Sequence, residues 1–297
     1  VTEKGQFLTD EEICNMEVKS RLEWHPLLSD PTECRTAKPR QLGKTMVIDK
    51  GLGIHAFEDL LQTAGDYIDM IKIGFGTSPL YNQKLLMQKI QMAKANDIMI
   101  FPGGTFLEVA IRQQQLEAFF DMASYLGYNG VEVSDGTIDV SRGLRSELIR
   151  RGIDSGLNVV TEYGKKVWGS SIEIGELVET VSTDMELGAH LVTIEGRESG
   201  KGVGIFDENG GCKDHEIEGM LAALDDPGCL LWEAPNKEQQ VHLIKLIGPH
   251  IHLGNILPQD IISLEALRRG LRSDTFGLGS RKDEEHEAVG QELHWEI

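Results

Sequence analysis

From residue 45 to residue 255 the chain alternates between two apolar patterns. Short runs of β-branched and other apolar residues cover 45–49, 68–73, 98–102, 130–134, 157–162, 190–195, 229–233 and 250–255. Continuous runs of this length, bounded by turn residues, predict strands buried on both faces. Between them apolar residues recur at i, i+3, i+4 and i+7. One set is Phe57, Leu60, Leu61 and Ala64; another is Leu116, Phe119, Phe120, Ala123 and Leu126; a third is Ile174, Leu177, Val178, Val181 and Met185. That spacing draws a single stripe down a helix, as packing on a sheet requires.

Eight strands separated by helices predict parallel pairing through right-handed crossovers. The expected fold class is α/β, a single (β/α)8 TIM barrel over residues 44–277, close to the roughly 250 residues such barrels occupy. An open dinucleotide-binding sheet would need G-x-G-x-x-G after an early strand. Residues 51–53 and 74–76 carry only Gly-x-Gly fragments of it. Residues 1–43, interrupted by Pro26, Pro31 and Pro39, read as an N-terminal extension with at most a short helix. Residues 278–297 read as a mobile acidic tail in which Trp295 and Ile297 are the candidates to dock.

Composition narrows the class of partner. The 297 residues are 40% hydrophobic and 26% charged, enough for a sizeable core. A formal charge of −19 argues against nucleic acid and anionic membrane, which call for a basic surface. No apolar run approaches the roughly 20 residues of a membrane span, and the start lacks a basic-then-apolar signal pattern. Cys14, Cys34, Cys212 and Cys229 show no C-x-x-C spacing, so reduced thiols and a cytoplasmic setting are expected. Barrels often associate through outer helices, so a homo-oligomer stays open.

The candidate chemistry lies at the C-terminal ends of the strands, where barrels of this kind carry their sites. Those ends hold Asp49 and Lys50, Lys72, Gly103-Gly104-Thr105, Glu132, Glu162 with Lys165 and Lys166, Glu195 with Arg197 and Ser199, Glu233 with Asn236, and Asn255. Glu132, Glu195 and Glu233 interrupt apolar runs, and a carboxylate there is costly unless paired or bound to a metal. One reading is a ring of structural salt bridges. The other is a divalent-cation site beside cationic groups for an anionic substrate, and all-oxygen ligands suit Mg²⁺ better than Zn²⁺. Free amides at Gly103 and Gly104 offer an anion cradle. Residues 196–202, Gly-Arg-Glu-Ser-Gly-Lys-Gly, offer a clamp of Arg, Ser and Lys donors, with a simple mobile loop as the alternative for the distal half from Lys201.

In order along the chain stand Asp49-Lys50-Gly, Lys72-Ile-Gly-Phe-Gly-Thr-Ser, Pro102-Gly-Gly-Thr, Val131-Glu-Val-Ser-Asp-Gly, Thr161-Glu-Tyr-Gly-Lys-Lys, Ile194-Glu-Gly-Arg-Glu-Ser-Gly, Glu233-Ala-Pro-Asn-Lys and Leu267-Arg-Arg-Gly-Leu-Arg-Ser-Asp-Thr-Phe. Over residues 44–277 this series resembles the phosphosulfolactate synthase family. The resemblance implies a TIM-barrel, Mg²⁺-dependent enzyme of the carbon–sulfur lyase class that adds sulfite to phosphoenolpyruvate, giving (R)-2-phospho-3-sulfolactate. It implies a place in coenzyme M synthesis in methanogens or in a bacterial sulfolactate route. A plant and fungal branch of the family is associated with heat-stress tolerance. The retained Lys165-Lys166 and Gly-Arg-Glu-Ser-Gly are more similar to the enzymatic branch.

Sulfite attack at C3 of phosphoenolpyruvate drives charge through C2 into the carboxylate, which a divalent ion would stabilise, and C2 then needs a proton. The resemblance assigns that proton to Lys166, whose pKa nearby cations would depress and neighbouring carboxylates would raise. Strand-end position nominates Glu132, Glu162 and Glu195 as metal ligands, with Asp49 or Glu233 as replacements. Lys50, Lys72, Gly103, Gly104, Arg197, Ser199 and Asn255 are the substrate-binding candidates. Charge would then be segregated, with a locally cationic, metal-loaded barrel mouth on an acidic body. Two other readings stay open: a Schiff-base aldolase using Lys166 or Lys72, and a non-catalytic stress or scaffold protein.

Overall fold

The computed structural model describes residues 24–279. Eight parallel strands curl into one sheet: β1 (Thr45–Asp49), β2 (Met70–Ile73), β3 (Met99–Pro102), β4 (Gly130–Val133), β5 (Asn158–Tyr163), β6 (Leu191–Ile194), β7 (Leu230–Glu233) and β8 (His252–Ile256). Each expected run supplies one strand, shifted at its ends by no more than two residues. The hydrogen-bonded order β3-β2-β1-β8-β7-β6-β5-β4 leaves β3 and β4 as the two edges. A side chain bridges them. Asn129 accepts from the Ile100 amide at 2.7 Å and donates to the Ile98 carbonyl at 3.2 Å, so its amide mimics a ladder rung across the seam.

A short helix, α1 (Pro26–Ser29), precedes the barrel. The outer layer is α2 (Ile54–Ala64), α3 (Gln83–Ala95), α4 (Gly104–Arg112), α5 (Leu116–Leu126), α6 (Arg142–Asp154), α7 (Ile174–Glu186), α8 (Asp214–Ala223), α9 (Lys237–Ile247) and α10 (Ile261–Arg268). The unit after β3 holds two helices where one stripe predicted one. The stripes at Phe57, Leu61 and Ala64, at Phe119, Phe120 and Ala123, and at Leu177 and Val181 all face the sheet and are buried. Met46, Met70, Phe101, Val160, Leu191 and Leu231 fill the barrel interior as a separate cluster.

Strand period decides what stands above that cluster. Side chains two residues apart share a face. Met70 therefore puts Lys72 inside, Val160 puts Glu162 inside, and Leu231 puts Glu233 inside, each one layer nearer the C-terminal end. The apolar plug and the charged mouth are alternate residues of the same strands.

The N-terminal end is closed by residues upstream of β1. Arg40 donates to the Asp66 carbonyl at 2.6 Å, Arg35 pairs with Glu265 at 2.9 Å, and Gly43 donates to the His250 carbonyl at 2.7 Å. Arg268, fully buried in α10, donates to the Pro249, Ile251 and Lys44 carbonyls at 2.6, 2.7 and 3.3 Å. Among the described residues no helix is long and apolar enough to cross a membrane. Cys34, Cys212 and Cys229 are free thiols. Cys14 and the proposed acidic tail from residue 280, including Trp295 and Ile297, lie outside the described residues.

Candidate active site

At the C-terminal end of the strands a cavity of about 370 Å³ is lined by Lys72, Glu132, Glu162, Lys166, Glu195 and Glu233 within, and by Phe75, Arg197, Glu198, Ser199 and Asn255 nearer the rim. Gly103, Gly104 and Thr105 form one wall. Lys72 rises from β2 at the floor. Its Nζ stands 2.7 Å from Glu233, 3.2 Å from Glu132 and 3.9 Å from Glu162. Burial alone would lower its pKa, but Glu132, Glu233 and Glu162 outweigh burial and raise it.

Lys166 enters from the β5–α7 loop. Its Nζ is 2.7 Å from Glu162, 3.4 Å from Glu195 and 3.9 Å from Glu108. Here too burial works against the charge, and Glu162 and Glu195 more than reverse it, so the pKa is raised. The depression considered from the sequence is absent, because carboxylates rather than cations surround the ammonium. Both lysines are held as ammonium ions, the opposite of the free amine a Schiff-base mechanism needs. The adjacent Lys165 turns away and donates to the Asp135 carbonyl at 2.8 Å.

The carboxylates outnumber their partners. Glu108, Glu132, Glu162, Glu195 and Glu233 are all buried, and two lysines serve the five. Burial and the proximity of Glu162 and Glu233 push the Glu195 pKa well up, against the pull of Lys166. Glu162 is held low, because Lys166 and Lys72 overcome its burial. Glu195 Oε2 is buried without a hydrogen bond and meets the Lys166 ammonium only at 3.4 Å, while Oε1 accepts from the Arg197 amide at 2.6 Å. A weakly partnered carboxylate oxygen among crowded acids fits a hard divalent cation, which takes oxygen ligands. Among the described residues, however, no group of three or more His, Cys, Asp or Glu stands in a ready ligand arrangement. Side chains alone do not make the mouth cationic: Lys72, Lys166 and Arg197 face six carboxylates when Glu198 is included.

Backbone strain gathers at the same place. Phe75, Arg197 and Asn255, all lining the cavity, hold φ of 56°, 59° and 55°, a left-handed conformation uncommon outside glycine. Asn255 Oδ1 is buried and unpartnered.

Several expected groups have other duties. Asp49 accepts from the Gly51 and Leu52 amides at 2.9 and 2.8 Å and pairs with buried Lys89, so it leaves the ligand set. Lys50 is outside the cavity lining and meets exposed Glu198 at 3.5 Å. The Gly103 amide donates to the Ile73 carbonyl at 2.9 Å, and the Gly104 amide to Glu132 at 2.6 Å. Both glycines are needed for close approach. A Cβ on Gly103 would lie 2.8 Å from the Phe75 backbone, and one on Gly104 2.8 Å from Ser134. The loop after Arg197 is tied down: Asn236 donates to the Ser199 carbonyl at 3.1 Å and Gln239 to the Gly200 carbonyl at 2.7 Å.

Glu108 was not anticipated. It sits on α4, accepts from the Thr137 and Ile138 amides at 2.9 and 3.1 Å and from the Ser134 hydroxyl, and faces Lys166. A signal existed: it is the lone acid inside Phe106-Leu107-Glu108-Val109-Ala110.

The profile of the (2R)-phospho-3-sulfolactate synthase family matches residues 33–274, beginning inside the segment read as an extension. The chain is 40% identical over 248 residues to a phosphosulfolactate synthase of Methanothermobacter thermautotrophicus, covering 83% of this chain and 96% of that one. It is 42% identical to one of Methanocaldococcus jannaschii, covering 80% and 95%, and 39% identical to one of Bacillus subtilis, covering 82% and 96%. Among solved structures, a dihydrodipicolinate synthase of Agrobacterium tumefaciens superposes with a TM-score of 0.50 at 10% identity, over 82% of this chain and 79% of that one. That likeness concerns the fold alone.

Proposed function

The chain belongs to the (2R)-phospho-3-sulfolactate synthase family, and on that premise we propose that its mouth joins sulfite to C3 of phosphoenolpyruvate and protonates C2. The observation that carries the reading is the Lys166 ammonium, held 2.7 Å from Glu162 inside a cavity it shares with Glu132, Glu195 and Glu233. The sulfur lone pair of sulfite forms the C–S bond, and the C2–C3 π pair moves onto C2 and the substrate carboxylate. Lys166 passes its proton to C2 and recovers one from solvent, which fixes the hand of (R)-2-phospho-3-sulfolactate. Its raised pKa keeps that proton in place at neutral pH, and engaging Glu162 and Glu195 with a bound cation would bring it down towards the operating pH, where a general acid works best.

Glu132, Glu162 and Glu195 would hold Mg²⁺, with Glu233 beside them. When bound, the ion offsets the charge that builds on the substrate carboxylate. Arg197 and Ser199, with Lys50 farther out on the rim, receive the phosphate or sulfite oxygens, and Asn255 offers its amide from β8. Gly103 and Gly104 bring α4 and its first turn close to the substrate. Lys72 supports this from the floor by fixing Glu132 and Glu233. We assign the reaction to the cytoplasm and its partners to small anions. The full set of mouth residues favours an enzyme over a scaffold, which has no use for buried acids facing a cavity.

The test is direct. Incubation with phosphoenolpyruvate, sulfite and Mg²⁺ yields phosphosulfolactate by mass spectrometry, and chelation stops it. Folded protein that forms no product overturns the proposal.

A further inference from the structure

The unpartnered buried atoms at the two ends of the barrel are of opposite kind. At the mouth they are acceptors, Glu195 Oε2 and Asn255 Oδ1; at the N-terminal end they are donors, Arg35 Nη2, Arg40 Nε and Arg268 Nε. Arg35 and Arg40 line a cleft of about 640 Å³ together with Lys38 and Arg269. The side chains of Arg35 and Arg40 are 4% and 2% exposed, so these are enclosed guanidinium groups rather than surface charges.

Their partners are used up. Glu265 is shared between Arg35 at 2.9 Å and Arg269 at 2.8 Å. Asp69 reaches Arg40 only at 3.4 Å, and it also accepts from the Thr45 amide at 2.8 Å. Lys38 is satisfied by carbonyls alone, of Asn96 at 2.7 Å and Gly65 at 3.1 Å. Asp66 and Asp97 line the cleft as well, but both are exposed, and Asp66 meets Arg40 through its carbonyl. With Arg268 behind the wall, three buried guanidinium groups face two buried carboxylates. Burial lowers the pKa of Arg40, and Arg35 adds to that against the opposing pull of Asp69. A chain of net charge −19 thus keeps a cluster of buried guanidinium groups with unfilled N–H donors on the face opposite its active site.

We infer that this cleft is a second ligand site, which takes a small tetrahedral oxyanion of the phosphate or sulfate type. Guanidinium N–H groups recognise such oxygens through paired, charge-assisted hydrogen bonds, and Lys38 adds a point charge. Occupancy would link the segment at residues 35–40 to α10 and the entry to β2. The site is built partly from residues upstream of β1, so the anion would stabilise their docking without touching the mouth.

Calorimetric titration of the full chain with inorganic phosphate, and separately with sulfate, tests this. Three proteins are compared: wild type, the mouth variant Arg197→Ala, and the cleft variant Lys38→Ala/Arg269→Ala. Binding persists in Arg197→Ala and is weakened about tenfold or more in the cleft variant, whose turnover stays at the wild-type level. In parallel, phosphate raises the melting temperature of wild type and of Arg197→Ala more than that of the cleft variant. Loss of all binding in Arg197→Ala, or full binding in the cleft variant, overturns the inference. Should the double variant fail to fold, Lys38→Ala alone takes its place, and full phosphate binding in it overturns the inference.

Discussion

At the C-terminal ends of the strands five buried carboxylates share two lysines, whereas at the N-terminal ends Arg35, Arg40 and Arg268 are divided among Asp69, Glu265 and a set of backbone carbonyls. Buried charge is costly at both ends, yet its arrangement differs. Below, the guanidinium groups donate to carbonyls that strand and helix termini leave over, so they replace backbone partners and hold elements together. Above, like charges are crowded, Glu195 Oε2 and Asn255 Oδ1 are acceptors without a hydrogen bond, and Phe75, Arg197 and Asn255 take left-handed backbones, whereas the atoms left over below are guanidinium donors. Crowding of like charge does nothing for stability. It is the signature of a site shaped for something that binds there.

If that contrast is right, removing charge above should cost activity, and removing it below should cost stability. The largest effect is expected from Lys166→Ala, which lowers phosphosulfolactate formation by about 10²- to 10⁴-fold, the usual contribution of a positioned acid. Near-normal turnover in that variant would break the assignment of the mouth. The opposite outcome is expected from Arg268→Met. Three carbonyls lose their donor inside a fully buried environment, and unfolding by denaturant should become easier by about 3–5 kcal/mol. Turnover per folded molecule should stay unchanged, because Arg268 lies at the far end of the barrel.

The smallest effect is a pH dependence of the lower end. His252 Nδ1 accepts from the Lys44 amide at 3.0 Å, and its Nε2 is 3.0 Å from the Gly228 carbonyl, which together specify the neutral ring protonated on Nε2. Burial, with Lys44 and Arg268 adding to it, lowers its pKa to about 4 from the usual 6.5. Below the ordinary pKa the unfolded chain binds a proton that the folded chain refuses. The contribution is therefore complete above pH 6.5, falls as pH drops towards 4, and changes no further below that. It amounts to at most about 3 kcal/mol. Denaturation of wild type and His252→Gln at several pH values should show the wild type losing more between pH 6.5 and 4. Parallel curves would remove His252 from this role.

Much of this was legible in the chain. The eight apolar runs and the helical stripes follow from periodicity, and periodicity is local, so strands appeared within two residues of their expected limits. Lys72, Glu162 and Glu233 could be found because an ionisable residue two places after an inward apolar one shares its face, and Glu132 and Glu195 because each interrupts an apolar run at a strand end. The family motifs pointed to Lys166 over its neighbour, and spacing alone could not. Lys165 and Lys166 are adjacent and chemically identical, and the turn of the β5–α7 loop sends one to Asp135 and the other to Glu162.

Sequence by itself determined the layers of the barrel, the inward alternation of apolar and charged residues, and the family. Tertiary structure alone decided which charges meet. It turned Asp49 out to Lys89, drew Glu108 in from α4, spent the Gly103 and Gly104 amides on Ile73 and Glu132, and closed the β3–β4 seam through Asn129. It also brought Arg35 under the barrel to Glu265, 230 positions away, and Arg40 to Asp69 beside it. The reason is physical: face and period are set by a few neighbouring dihedral angles, whereas the meeting of side chains depends on barrel closure and loop paths that no local pattern encodes.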